Sequence, residues 1–220
     1  MIRFAVFDLD GTLIDSRRDL ADATNALIEE YGGTPLSVDA VTAMVGEGAA
    51  VLVRRALTAA RLDRIPRDAL ERFLAHYQER LTIHTRPYEG IPEALEALRD
   101  RGITLALLTN KPTAPTVRIL ELLDLARWFS DVVGGDSAAG RKPDPAGLLQ
   151  MIQRAGATPA SSVLVGDSRI DVQTARRAGV RVCVAKYGFG YRAGEIPLRD
   201  DDLTVNDPSE LASLDSDQRS

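Results

Sequence analysis

One cysteine and two histidines are all that this 220-residue chain offers of those two residue types. No disulfide within the chain is possible, and Cys183, set in the apolar run 180–185, reads as a small core residue rather than a reactive thiol. An excess of positive charge is also missing. The 27 Lys and Arg face 32 Asp and Glu, a net charge of -5, so the surface as a whole gives no electrostatic reason to bind nucleic acid or an anionic membrane, although a local basic pocket stays compatible with it. Long hydrophobic runs are lacking too: residues 1–9 hold two short apolar stretches split by Arg3 and run into acidic residues, which suits neither a signal peptide nor a membrane span. The expectation is a cytoplasmic protein. What remains, 45% apolar and 27% charged residues, is the balance of an ordinary globular chain long enough for one large domain or a core plus a modest second module.

Short apolar runs at 4–9, 104–108, 132–133, 162–165 and 181–185 end in polar, glycine-containing turns and read as buried strands. Amphipathic stretches at 92–101 and 116–125 lie between the later runs and read as crossover helices, with Leu95, Leu98, Ile119, Leu120 and Leu123 inward. This alternation predicts an α/β fold, a mostly parallel, Rossmann-like sheet covered by helices on both faces, with ligands at the carboxyl ends of the strands. Residues 14–83 break the pattern. They carry no convincing strand and several helical patterns: Leu20, Ala23, Leu27 and Tyr31 share one face, as do Leu70, Phe73, Leu74, Tyr77 and Leu81. The reading is a catalytic core over 1–13 and 84–220 with a helical cap inserted at 14–83, a candidate lid above the site. The tail from 199 is expected to hold at most a short strand and helix before a frayed end.

Four segments carry the chemistry. Asp8 and Asp10, at i and i+2 after an apolar strand, point to one face roughly 6 to 7 Å apart, which a folded protein tolerates poorly without a cation or a shared proton. Thr109 and Asn110 follow the second strand with a hydroxyl, an amide and backbone N–H groups suited to phosphate oxygens. Lys142 sits in Gly140-Arg141-Lys142-Pro143-Asp144-Pro145, where two prolines restrict the backbone around an ammonium group. Residues 135–142 are no P-loop, because Arg141 stands where its lysine belongs. Gly166-Asp167-Ser168-Arg169-Ile170-Asp171 adds two carboxylates at a strand end. Together these four aspartates make a hard, oxygen-rich site suited to Mg²⁺ rather than zinc. His76 and His84 are both read as part of the helical insert, where they fit exposed or core roles rather than a catalytic one.

The four segments, in this order, resemble the four motifs of the haloacid dehalogenase superfamily. Closer similarity is to its phosphoglycolate phosphatases, carried by Val45-Gly46-Glu47-Gly48-Ala49, Thr109-Asn110-Lys111-Pro112-Thr113, Val133-Gly134-Gly135-Asp136 and Tyr187-Gly188. The resemblance implies a Mg²⁺-dependent phosphomonoester hydrolase acting on a small phosphorylated metabolite, most closely 2-phosphoglycolate. Asp8 would be the nucleophile, forming an aspartyl-phosphate, and Asp10 the acid for the leaving alkoxide and then the base for water. Mg²⁺ would be held by Asp8, the backbone carbonyl of Asp10 and Asp167. Thr109, Asn110 and Lys142 would hold the phosphoryl group, with Asp171 in support, and Gly46 and Gly48 would meet the substrate's distal end. Glu47 is expected to face solvent or a basic residue of the cap. Nucleic acid and membrane are not expected partners, and a monomer or homodimer is expected. Another sugar-phosphate phosphatase, a phosphomutase or a phospho-receiver switch are the competing readings; Asp10, Gly11 and the large insert do not suit the last.

Overall fold

The structure is a computed structural model that describes residues 1–62 and 65–214. In chain order its elements are β1 (Phe4–Phe7), β2 (Ile14–Asp15), α1 (Arg17–Glu30), α2 (Val38–Thr42), α3 (Ala49–Ala59), α4 (Ala69–Gln78), β3 (Arg86–Pro87), α5 (Ile91–Asp100), β4 (Thr104–Leu108), α6 (Thr113–Leu122), β5 (Val132–Val133), α7 (Ala146–Arg154), β6 (Ser162–Gly166), α8 (Arg169–Ala178), β7 (Arg181–Ala185) and β8 (Leu203–Val205). Six strands form one parallel sheet in the order β5-β4-β1-β6-β7-β8, with Phe4 paired to both Thr104 and Ser162.

The strands are apolar throughout because both faces of the sheet are covered. Side chains alternate across a strand, so Ala5, Phe7, Leu105, Leu107, Val163 and Val165 enter one core with Leu95 and Leu98 of α5 and Ile119 of α6. Phe4, Val6, Ala106, Leu108 and Leu164 enter the other, with Leu148 and Met151 of α7 and Val172 and Ala175 of α8. Cys183 is free and wholly buried in the first core, as its apolar run implied. Helix ends follow local chemistry: Ser168 and Asp171 form a capping box that starts α8, and Gly179, at φ 65°, ends it.

The region after β1 is helical, with one correction. Ile14 and Asp15 form β2, which pairs antiparallel with β3 through Ile14–Pro87 and Asp15–Arg86. Two residues are too few for an alternating pattern, so the pairing depends on contacts made when the chain returns. Beside it the Asp19 carboxylate, on α1, accepts hydrogen bonds from the backbone N–H of His84 (2.9 Å) and from the N–H and hydroxyl of Thr85 (both 2.7 Å). The outgoing and returning chains are thereby fixed to each other. Of the expected inward residues, Leu20, Ala23, Leu27, Phe73, Tyr77 and Leu81 are buried, whereas Leu70 is exposed because Ala69 takes the inward place at the start of α4. At the other end β8 extends the sheet, and the short 3₁₀ helix Pro208–Ser213 buries Leu211 in the first core. The frayed end expected beyond 214 lies outside the described residues.

Candidate active site

β1 lies between β4 and β6, so the chain connections diverge on either side of it and leave a crevice at its carboxyl end. Asp8 sits there, its N–H still bonded to the Val165 carbonyl at 2.9 Å. Lys142 comes from the loop before α7 and places Nζ 2.8 Å from Asp8 Oδ1 and 2.6 Å from Asp171 Oδ1. The other oxygen of Asp171 accepts from the N–H (3.1 Å) and hydroxyl (2.5 Å) of Ser168. One carboxylate therefore caps α8 and fixes the lysine. Asp167, at the end of β6, accepts from the Gly190 N–H at 2.7 Å. Gly11 makes room for it: a Cβ there would lie 1.9 Å from Asp167 Oδ2, and its φ of 85° also favours glycine.

Asp8, Asp167 and Asp171 each offer an oxygen within 4.8 Å of the others, a group able to hold a metal ion. Burial, the largest influence, pushes the Asp8 carboxyl up to about 6; Lys142 pulls it down and Asp171 pushes it further up. Burial also lifts Asp167 well above the usual carboxylate range, helped by Asp171 and Asp8. Burial works against the charge on Lys142, but Asp171 and Asp8 outweigh it and hold the ammonium protonated. Carboxylates crowded in this way favour a proton or a cation over standing ionised together. Four carboxylates (Asp8, Asp10, Asp167, Asp171) face two ammonium groups (Lys111, Lys142), and 4 − 2 leaves two negative charges, which one divalent cation neutralises. Hard oxygen donors with this charge deficit fit such an ion.

Asp10 is placed differently. Ser16 Oγ donates to its Oδ1 at 2.5 Å, and Lys111 Nζ lies 2.9 Å from both oxygens. Thr109, at the end of β4, and Asn110 are buried at the same crevice. Asn110 Nδ2 donates to the Gly46 carbonyl (2.9 Å) and the Lys142 carbonyl (3.0 Å), tying the turn before α3 to the loop that carries Lys142. Gly46 and Gly48 have φ of 119° and 92°, and a Cβ on Gly48 would stand 3.1 Å from the Asn110 carbonyl oxygen, so glycine lets this turn dock. Glu47 turns to Arg55 of α3 at 2.5 Å, a basic neighbour as its position called for. A cavity of about 60 Å³ lies between this turn and the strand ends, with Asp8, Asp10, Thr109 and Lys111 on its polar side and Leu20 and Phe73 on its apolar side.

A family model described as haloacid dehalogenase-like hydrolase matches residues 5–185, from the first residues of β1 to the last of β7. The chain belongs to the haloacid dehalogenase-like hydrolases. Among curated members, a phosphoglycolate phosphatase of Pseudomonas putida is 43% identical over 194 residues, covering 86% of this chain and 71% of its own length. One from Aquifex aeolicus is 35% identical over 97% of this chain and 96% of its own. Among solved structures, a predicted phosphoglycolate phosphatase of Haemophilus somnus superposes with a TM-score of 0.89 at 32% identity, covering 97% of both chains.

In this haloacid dehalogenase-like hydrolase the sequence motifs converge: Asp8, Lys142, Asp167 and Asp171 are in one cluster, and Asp10, Thr109, Asn110, Gly46 and Gly48 line the adjoining cavity. Sequence reasoning gave no role to three partners of this site. Lys111 follows Thr109 and Asn110 in the sequence without a role of its own, and the helical spacing of Tyr77 reads as core. Ser16 carried no signal at all. Lys111 reaches Asp10 across 101 positions of sequence, and only the contrast between a charged residue and a buried strand end could have marked it.

Proposed function

We propose that the chain is a Mg²⁺-dependent phosphatase that hydrolyses 2-phosphoglycolate to glycolate and phosphate through an aspartyl-phosphate on Asp8. The observation that carries this reading is a carboxylate at the switch point of the sheet, held by a buried lysine, two residues from a second carboxylate that is separately clamped by Ser16 and Lys111. The two aspartates have different partners, as two different roles require. The names of the relatives support the substrate.

In this scheme an oxygen of Asp8 attacks phosphorus in line, forming an O–P bond as the bond to the ester oxygen breaks. Asp10 gives a proton to the departing alkoxide and afterwards takes one from the water that attacks the aspartyl-phosphate and releases Asp8. Lys142 and Thr109 hold the phosphoryl oxygens, and Asp171, with both oxygens occupied, positions Lys142. Asp8, Asp167 and the backbone carbonyl of Asp10 would hold Mg²⁺, which supplies the positive charge that lets an anionic nucleophile meet an anionic phosphate. Residues 14–83 act as the cap: Leu20 and Phe73 exclude water, and the Gly46–Gly48 turn closes on Asn110. Among the described residues no helix is long and apolar enough to cross a membrane. A small, water-soluble, anionic substrate is in keeping with a cytoplasmic enzyme.

Phosphate release from purified protein with Mg²⁺, measured across small phosphorylated metabolites, tests the reading. 2-Phosphoglycolate should exceed common sugar phosphates in kcat/KM by at least roughly tenfold. A sugar phosphate turned over as well or better overturns the substrate assignment.

A further inference from the structure

Resting on that reading and extending it, we propose that Lys111 and Tyr77 form the subsite for the substrate's distal carboxylate, and so set the preference for a short substrate with two anionic ends. An ammonium group has three N–H donors. Those of Lys111 have Asp10 Oδ1 and Oδ2 at 2.9 Å, and beyond them Nζ faces the Tyr77 ring, 4.7 Å from its centroid. Three donors for two acceptors leave one N–H turned to Tyr77, whose hydroxyl oxygen is its remaining neighbour able to accept. Beside it, Tyr77 is 2% exposed, and its buried hydroxyl, near enough to Lys111 to accept from it, has no acceptor for its own proton. A buried O–H donor left unpaired costs free energy that a ligand able to accept from it recovers.

Both groups line the cavity, and among the described residues lining it Lys111 is the only cation. The spacing also fits. The ester oxygen of 2-phosphoglycolate and its nearer carboxylate oxygen are separated by two carbons, about 3 Å in the compact rotamer. Asp10, the donor to the ester oxygen, and Lys111 Nζ are 2.9 Å apart. A substrate whose ester oxygen meets Asp10 thus brings its carboxylate to Lys111 and Tyr77. A longer sugar phosphate would instead place hydroxyl groups against Leu20, Phe73 and Leu74 with nothing to pair them.

The test compares 2-phosphoglycolate with phosphoglycolamide, its primary amide, which keeps the ester and loses the distal charge. Lys111→Met should lower kcat/KM for 2-phosphoglycolate by about 100-fold, chiefly through KM, and the loss for the amide should be at least about tenfold smaller. Tyr77→Phe, which keeps the ring, should raise KM for 2-phosphoglycolate by about three- to tenfold and that for the amide by less. It decides the matter should Lys111→Met fail to fold. Equal losses on the two substrates in both variants would overturn the subsite and reduce Lys111 to a partner of Asp10, leaving the phosphatase assignment intact. A wild-type protein with no preference for 2-phosphoglycolate over sugar phosphates would overturn the substrate assignment itself, whatever the variants do.

Discussion

Asp8 is at once the proposed nucleophile and a burden on the metal-free fold, and Asp8→Asn separates the two. The carboxyl rises from 3.8 to about 6, with burial as the main cause, Lys142 opposing it and Asp171 adding to it. Below about pH 4 it is protonated in the folded and unfolded chains alike and contributes nothing. As pH rises toward 6 the unfolded chain ionises while the folded one keeps its proton, and the folded state loses relative stability. Above 6 both are ionised and the full cost stands. The gap of 6 − 3.8, or 2.2 pH units, at ~1.36 kcal/mol each, is about 3 kcal/mol. Asparagine keeps the shape without the charge, and Lys142 retains Asp171 at 2.6 Å. In EDTA at about pH 8 the variant should therefore be more stable than wild type by up to about 3 kcal/mol, or about 6 to 12 °C in Tm for a chain of this size. The gain should shrink toward zero by about pH 4, and turnover should be lost throughout. Scanning calorimetry of both proteins across this range is the assay. A variant that melts at or below wild type at the higher pH, or a gain that ignores pH, would refute the reasoning.

Asp10→Asn should damage 2-phosphoglycolate hydrolysis more than p-nitrophenyl phosphate hydrolysis in single-turnover phosphorylation, because p-nitrophenolate leaves without a proton; equal losses would remove Asp10 from the acid role. Asp19→Ala strands the N–H groups of His84 and Thr85 and the Thr85 hydroxyl, and should cost about 3 kcal/mol and roughly 10 °C in Tm. A melt within about 2 °C of wild type would show that the clamp does not hold the two chain crossings together. Activity should vanish in EDTA, return with Mg²⁺ and be suppressed by Ca²⁺, whose preference for more ligands would occupy both Asp8 oxygens and leave none free to attack; full activity in EDTA would contradict the metal role.

The sheet was legible because its strands are apolar on both faces and each ends in a polar turn, a pattern that β1 and β6 show in four or five residues. The same strand ends carry Asp8, Thr109 and Asp167, so the pattern that located the sheet also located much of its site. Boundaries were less legible. The first strand stops at Phe7 rather than Leu9, because the Leu9 carbonyl turns back to accept from the N–H groups of Thr12, Leu13 and Ile14. α6 begins at Thr113, directly after Pro112, three residues before the amphipathic pattern becomes clear. Tyr77 shows the deeper limit: helical spacing says that it points inward and cannot say that the interior there is the cavity wall beneath Lys111. Asp171 was legible as a carboxylate near the site, but its work on Lys142 and Ser168 depends on where α8 starts.

The central claim is that Asp8 itself accepts the phosphoryl group. Asp10→Asn slows the water step, so mixing this variant with p-nitrophenyl phosphate and Mg²⁺ and quenching in acid should trap the product of the first step. The account predicts a burst of p-nitrophenolate approaching one equivalent per protein, with a phosphoryl group on the peptide containing Asp8 and on no peptide when Asp8→Asn is added. Steady release without a burst, with Asp8 unmodified throughout, would contradict it.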